Sequence, residues 1–195
     1  MDDLDLIQQV LSGKHEYFAQ LVERYQKPLI YFLRGILRDE EEVLDCTQEA
    51  FLAAYRNLWK YSSKYTFRAW LYTIARNKAI DLLRKKKKES PVSLNENLID
   101  PQEGPEEVWL AKEQAGQLQE VLDELSEQYR QALYLRYQQE MSYEEMSLVL
   151  NIPVSLVKTH LYRGKEKLRQ ILERRGLDER NGQLVGPTIS RGTPL

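Results

Sequence analysis

The chain has 195 residues, 42% hydrophobic and 30% charged, which suffices for one medium domain or two small ones. Its longest stretch without a charge, Met146 to Val157, has twelve residues, whereas a membrane span needs about 18 or more apolar residues. The acidic first residues do not resemble a signal peptide, and the single cysteine, Cys46, excludes an internal disulfide and a thiolate metal cluster. The two histidines lie far apart, so we expect a cytoplasmic protein without a metal site or cofactor.

The first 88 residues have the apolar spacing of helices. Apolar residues recur at three- and four-residue steps between Leu6 and Tyr25, as on one buried helix face. Pro28 is expected in the first turn of the next helix. A third helix is predicted from about Glu41 to Trp59 and a fourth from about Phe67 to Lys87. No segment alternates with period two for long enough to form a strand, so the predicted fold class is all-α.

A break in composition divides the chain into two small helical domains. Residues 89–107 contain three prolines, a glycine and several acids but no base, which is typical of a flexible linker. Helical periodicity returns over residues 108–175, and residues 176–195, with four glycines, are expected to be a disordered tail. We therefore predict a helical domain over residues 1–88, an acidic linker, and a second helical domain.

The second domain has the layout of a helix-turn-helix. Ser142 and Glu145 have the spacing of a capping box, which starts a short helix. Pro153 forces a turn, and a longer helix follows from about Val154. Its outward face includes Tyr162 and the six residues that we select as candidate DNA contacts: Ser155, Lys158, Thr159, His160, Arg163 and Lys167. Such a helix can enter the major groove; the alternative is a helical hairpin with a solvated surface.

The net charge of −2 hides strongly segregated blocks. Residues 39–55 carry six acids and no base, and residues 56–88 carry eleven bases against one acid. Residues 89–127 are acidic again, and residues 154–175 hold seven bases and two acids. Two basic blocks divided by an acidic one are the pattern expected of a protein that binds nucleic acid.

Several segments resemble bacterial sigma factors. YRQALYLRY at 129–137, SYEEM at 142–146 and NIPVSLVKT at 151–159 resemble sigma region 4. DCTQEAF at 45–51 and FRAWLYTIARN at 67–77, followed by DLLR, resemble sigma region 2. With these two regions and a short linker, the chain resembles the extracytoplasmic-function (ECF) subgroup of the sigma-70 family.

The resemblance implies a transcription factor that is not an enzyme. It would bind core RNA polymerase at the clamp helices of the largest subunit and at the flap, and would recognise the −10 and −35 elements of promoter DNA. The resemblance also implies an anti-sigma factor as a partner, which in this subgroup is often membrane-anchored, and no small-molecule substrate is expected. Region 2 would correspond to residues 1–88 and region 4 to residues 108–175.

The resemblance also assigns roles to individual residues. The polymerase-binding stripe would consist of Asp45, Gln48, Glu49, Leu52 and Arg56, which follow one another at one-, three- and four-residue steps along one helix. Aromatic rings can stack on the bases of an opened −10 strand, and the candidates are Tyr61, Tyr65 and Phe67. Asn77 would read a base edge, and the phosphate contacts would be Arg76, Lys78, Arg84, Lys85, Lys86, Lys87 and Lys88.

Other classes of protein remain as alternatives. The main one is a stand-alone helix-turn-helix repressor or activator that binds duplex operator DNA without polymerase. A second is an adaptor that binds polymerase but never touches DNA. An enzyme is the weakest option, because the chain has neither a glycine-rich phosphate loop nor a recognisable nucleophile motif.

Overall fold

The computed structural model describes residues 1–89, 121–122 and 124–176. Every regular element in these ranges is helical, as the sequence predicts. Beside short 3-10 turns, the α-helices are α1 (Asp3–Leu11), α2 (Phe18–Arg34), α3 (Glu40–Arg56), α4 (Phe67–Glu89), α5 (Glu127–Leu133), α6 (Tyr143–Leu150) and α7 (Val154–Arg174). The predicted linker and tail lie outside the described residues except at their edges, residues 89 and 176.

The first two helices depart from the sequence-based prediction. The single predicted face from Leu6 to Tyr25 is divided between α1 and α2, because Gly13 adopts a φ of +97° that ends the first helix. The prediction of a helix start at Pro28 was wrong, since Pro28 lies inside α2. A proline there removes one backbone hydrogen bond, but Leu21 and Leu29 on either side of it are fully buried. Their burial in one core explains why the helix continues.

Helix α3 separates an acidic outer face from an apolar inner one. The Asp39 side chain accepts a hydrogen bond from the Glu42 backbone N–H and so caps the helix. The inner stripe is buried at Val43, Thr47, Ala50 and Ala54, and Leu58 continues it just beyond the helix. Cys46 is also buried, and burial raises the pKa of its thiol to about 11. A thiol held protonated at neutral pH is a packing residue, not a reactive one.

Helix α4 is the central element of the first domain. Its residues Leu71, Tyr72 and Ala75 are fully buried against α2 and α3. At its start the Thr66 hydroxyl accepts a hydrogen bond from the Ala69 N–H at 3.3 Å, and its far end carries the run of lysines. This arrangement places the basic end of α4 on the surface and its first turn close to the second domain.

The second domain is built around the contact between α5 and α7. Between α5 and α6 the chain forms one π-helical stretch, Tyr134–Gln138, a distortion that often marks functional positions. Gly164 lies in the helix contact, where a Cβ atom would approach Leu133 Cγ and Tyr129 Cβ to 3.3 Å each. The close approach of α5 and α7 therefore depends on glycine at this position.

The two domains share one hydrophobic core in this structure. Helix α6 packs against α4, and the Tyr134 ring lies 4.8 Å from the Tyr31 ring of α2, between centroids. The Tyr134 hydroxyl donates a 2.8 Å hydrogen bond to the Pro28 carbonyl, and burial raises the pKa of this phenol to about 12. Within the described ranges, no helix is both long enough and apolar enough to span a bilayer.

Candidate nucleic-acid and polymerase interface

The candidate polymerase-binding stripe is exposed along the whole of α3. All five of its members lie on the outer face: Asp45, Gln48, Glu49, Leu52 and Arg56. The Glu49 carboxylate lies 3.2 Å from Lys78 Nζ of α4, so this acid also joins the two helices at the surface. Three apolar residues of α3 and of the turn that follows it are also exposed: Leu44, Tyr55 and Trp59. These three residues were not selected from the sequence, in which they lie eleven and four residues apart.

The aromatic residues of the loop before α4 (residues 61–66) and of the first turn of α4 are more tightly packed than the sequence suggested. Phe67 is almost completely buried, and its ring centroid lies 5.8–5.9 Å from those of Tyr25, Tyr61 and Trp70. The proposal that Phe67 offers a free face to a base is therefore corrected, because three rings enclose it. Tyr61 is half-buried and donates a hydrogen bond to the Tyr65 carbonyl. Among the three selected rings, Tyr65 and Tyr61 keep partial exposure.

The outward face of α4 is polar and basic. Asn77, Arg84 and the four lysines Lys85, Lys86, Lys87 and Lys88 are exposed, and Lys78 is half-buried. Acidic neighbours lie beside Lys78, Arg84 and Lys86: these are Glu49 of α3, Asp81 of α4 and Glu42 of α3, respectively. Exposed pairs of this kind contribute little to stability. These cations can therefore exchange their protein partners for phosphates at small cost.

Arg76 lies apart from the other α4 cations. It is half-buried, and with Glu127, Gln131 and His160 it lines a cavity of about 400 Å³ between the domains. Burial lowers the pKa of its guanidinium, and the Glu127 carboxylate partly offsets this effect. In this arrangement of the domains, Arg76 lines an open cavity beside the second domain and keeps partial exposure. Movement of the two domains apart would expose it further to a phosphate.

One carboxylate joins the two domains at the start of α4. Glu145 Oε1 accepts hydrogen bonds from the Thr66 hydroxyl at 2.5 Å and from the Thr66 N–H at 3.1 Å. Its other oxygen accepts from the Ser142 N–H at 3.0 Å. Burial alone raises the pKa of Glu145, but the bonds from Thr66 and Ser142 outweigh it, so the pKa lies below its usual value. Glu145 is therefore ionised at neutral pH and holds the two domains together.

The helix-turn-helix is built as the sequence predicts. The Ser142 hydroxyl accepts from the Glu145 N–H and completes the capping box at the start of α6. Asn151 ends α6 in the left-handed region at φ 53°, which asparagine tolerates better than most residues. The Ser147 hydroxyl then donates a 2.6 Å hydrogen bond to the Ile152 carbonyl, and α7 begins directly after Pro153. These local bonds fix the angle at which α7 leaves the turn.

Helix α7 presents a polar face outward from its first three turns. Ser155, Lys158 and Arg163 are exposed and Thr159 is half-buried, whereas Val157 and Leu161 pack inward. Tyr162 is 74% exposed, more than any other large hydrophobic residue on this helix, and Leu156 is also exposed. The sequence analysis placed Tyr162 on this face but did not select it as a DNA contact. Exposed aromatic rings on a groove-entering helix are suited to contact base edges or sugars.

Two selected residues of α7 lie at the flanks of this face. His160 is half-buried against Tyr129, with ring centroids 5.8 Å apart in an edge-to-face arrangement, and burial lowers its pKa. Lys167 is exposed but lies two turns further along the helix, with Nζ 3.4 Å from the Gln170 amide oxygen. The selection of His160 is corrected, since its ring packs within the domain instead of pointing outward.

A cluster around Tyr143 escaped the sequence analysis. The Arg136 guanidinium carbon lies 5.1 Å from the centre of the Tyr143 ring, and Lys158 Nζ lies 5.5 Å from it. The three residues come from the π-helical stretch, α6 and α7, so no sequence spacing reveals their contact. In the sequence, the only indication that they could form a site was that two of them are basic and one is aromatic.

Comparisons with known proteins agree with this geometry. Residues 21–89 match the Sigma-70 region 2 family and residues 115–168 match Sigma-70, region 4. The chain is 32% identical to the ECF RNA polymerase sigma factor SigW of Bacillus subtilis over 176 residues, covering 85% of this chain and 94% of SigW. It is 29% identical to the RNA polymerase sigma-H factor of Pseudomonas aeruginosa, covering 88% and 94% of the two chains.

A solved structure shows a similar fold. CnrH, in complex with the cytosolic domain of CnrY, has a TM-score of 0.62 to this chain at 27% sequence identity. The alignment covers 88% of this chain and 97% of CnrH. The likeness thus extends over both helical domains.

Proposed function

Because the chain belongs to the ECF subgroup of the sigma-70 family, which directs promoter-specific transcription initiation by RNA polymerase, we propose which of its surfaces do this. Residues 1–88 form the unit for polymerase binding and the −10 element, residues 108–175 the unit for the −35 element, and residues 89–107 the linker. The observation that carries the proposal is the exposed polar and basic face at the start of α7, after a correctly capped helix and turn. As in other sigma factors, the chain lends specificity and catalyses no reaction itself.

The proposed polymerase contact is the outer face of α3. Its acids are exposed, and Leu52, Tyr55 and Trp59 add apolar area, with Trp59 71% exposed. Interfaces gain most of their affinity from a few aromatic and apolar anchors surrounded by polar groups. We propose that this face docks on the clamp helices of the largest polymerase subunit, and that the second domain contacts the flap.

The proposed −10 contact is the loop before α4 together with the outward face of α4. Tyr65 and Tyr61 keep partial exposure for stacking on unpaired bases. Asn77 is placed to read a base edge, and Arg84 with the lysine run faces solvent for phosphate contacts. Phe67 supports this loop from inside through its ring contacts.

The proposed −35 contact is the first half of α7. A helix of this type enters the major groove with its first turns against base edges. Ser155, Lys158, Thr159 and Arg163 supply hydrogen-bond donors and positive charge, and Tyr162 and Leu156 supply apolar contacts. At the flanks of this face, His160 contributes by packing and Lys167 by its long-range positive charge.

The domains must separate when both promoter elements are read. The two elements are named for positions 25 nucleotides apart, which corresponds to about 85 Å along straight duplex. A compact chain of this length is only about 40 Å across. In the closed arrangement Glu145 contacts Thr66 directly, and Arg76 is half-buried beside the second domain. We infer that binding to polymerase and promoter replaces this contact.

A protein that binds the chain and prevents initiation is a further proposed partner. CnrH, the similar structure, is in complex with the cytosolic domain of a second protein, CnrY. We propose that an anti-sigma factor binds this chain in the cytoplasm. The anti-sigma factor would prevent initiation by covering the outer face of α3 or the proposed −10 and −35 contact surfaces.

Replacing Asp45 and Glu49 together with alanine is expected to weaken binding to core RNA polymerase about tenfold. Both carboxylates are exposed on the proposed docking face, and their removal takes away two charges that complement a basic partner surface. The measurement is a titration of fluorescently labelled chain with core polymerase at two salt concentrations.

The matched control is Glu16→Ala with Glu23→Ala, which removes the same charge from exposed positions of the same domain outside α3. This control should bind as the native chain does. Equal weakening by both pairs would show that α3 is not the docking face, and that only net charge matters.

A further inference from the structure

Tyr143 is held in a defined position at the start of α6. It is the first residue of the helix, directly after the cap residue Ser142, and the capping box with Glu145 fixes the backbone on both sides of it. Its ring is half-buried at the edge of the second domain's core. A ring anchored in this way can act as a fixed support for neighbouring side chains.

Two cations from different elements lie over this one ring. The Arg136 guanidinium comes from the π-helical stretch and the Lys158 ammonium from α7, at 5.1 and 5.5 Å from the ring centre. Arg136 is held a second time, because its Nη1 donates a 2.8 Å hydrogen bond to the Met141 carbonyl. Both distances are within the range of about 6 Å at which the negative face of an aromatic ring attracts a cation.

The arrangement solves a physical problem of the DNA-reading face. Two positive charges close together repel each other, and an exposed lysine loses much side-chain entropy when it is fixed. The ring attracts both cations before DNA arrives, so less entropy remains to be lost on binding. We propose that Tyr143 is a positioning residue for −35 recognition, which holds Lys158 and Arg136 ready for the DNA. The inference rests on the proposed function and adds two residues to its −35 site.

The test compares two replacements of Tyr143 in the reconstituted holoenzyme. The assay is transcription from a promoter fragment that the native chain uses, and from the same fragment with its −35 element scrambled. Tyr143→Phe keeps the ring and should retain activity within about twofold, whereas Tyr143→Leu should lose about tenfold on the intact promoter. The scrambled promoter should respond equally to all three proteins.

A second comparison separates positioning from a structural role. In a chain that already carries Arg136→Ala and Lys158→Ala, adding Tyr143→Leu should lower transcription by less than about twofold, because the ring then has no cation to hold. An undiminished tenfold loss in this background would overturn the inference, as would native activity of Tyr143→Leu on the intact promoter. If the native chain itself yields no promoter-specific transcripts, the proposed function fails instead.

Discussion

Replacing Lys158 and Arg163 together with alanine is expected to abolish −35-dependent initiation and to leave binding to core polymerase unchanged. Both side chains are exposed near the start of α7, on the face that enters the groove in our proposal. A good base contact is worth about 1–3 kcal/mol, so the loss of two should lower transcription by at least about 30-fold. The measurement is run-off transcription at fixed saturating core polymerase.

The control pair is Arg169→Ala with Lys165→Ala, which removes the same charge from exposed positions further along α7. This pair should retain most of the activity. Loss of polymerase binding in the Lys158 and Arg163 variant would contradict the assignment of this face of α7 to DNA, and would make it a polymerase contact instead.

Linking the two domains covalently in the closed arrangement is expected to abolish initiation. Thr66 and Glu145 are in direct hydrogen-bonding contact across the interface, so cysteines at these two positions can be joined by a short bis-maleimide. The linked chain cannot reach two elements about 85 Å apart. We expect at least a 100-fold loss of transcription, by an order-of-magnitude argument from the blocked open state.

Each single-cysteine variant, treated with the same reagent, provides the control. Both should keep the activity that they had before treatment, because one cysteine cannot be linked across the interface and the buried Cys46 should not react. Full activity of the linked chain on a promoter with both elements would contradict the proposed separation of the domains. It would mean that the closed arrangement itself reads the promoter.

The elements specified by local sequence were predicted well. The capping box of Ser142 and Glu145, the turn before Pro153 and the outward stripe of α3 all depend on local sequence, mostly on spacings of three or four residues. Such spacings decide local hydrogen bonds and one helix face, so they can be read without knowledge of the partners. The all-α fold follows from the same periodicity.

The features that the sequence did not reveal depend on contacts between distant segments. Pro28 was expected to start a helix, but α2 continues through it because helix residues on both sides of Pro28 are buried in one core. Phe67 and Arg76 were selected for their chemistry. However, a cluster of aromatic rings encloses Phe67, and Arg76 lies half-buried beside the second domain. The Tyr143 cluster likewise brings together three separate elements. Residue type alone predicts what a side chain can do but not which neighbours it meets.

The central claim is that this chain directs core RNA polymerase to specific promoters. The most direct test incubates the purified chain with bacterial core polymerase, isolates the complex, and maps transcripts on a library of genomic fragments. We predict a stable complex and discrete start sites that core polymerase alone does not use. A chain that binds duplex DNA tightly by itself but neither binds core polymerase nor produces new start sites would contradict the account and indicate a stand-alone repressor or activator.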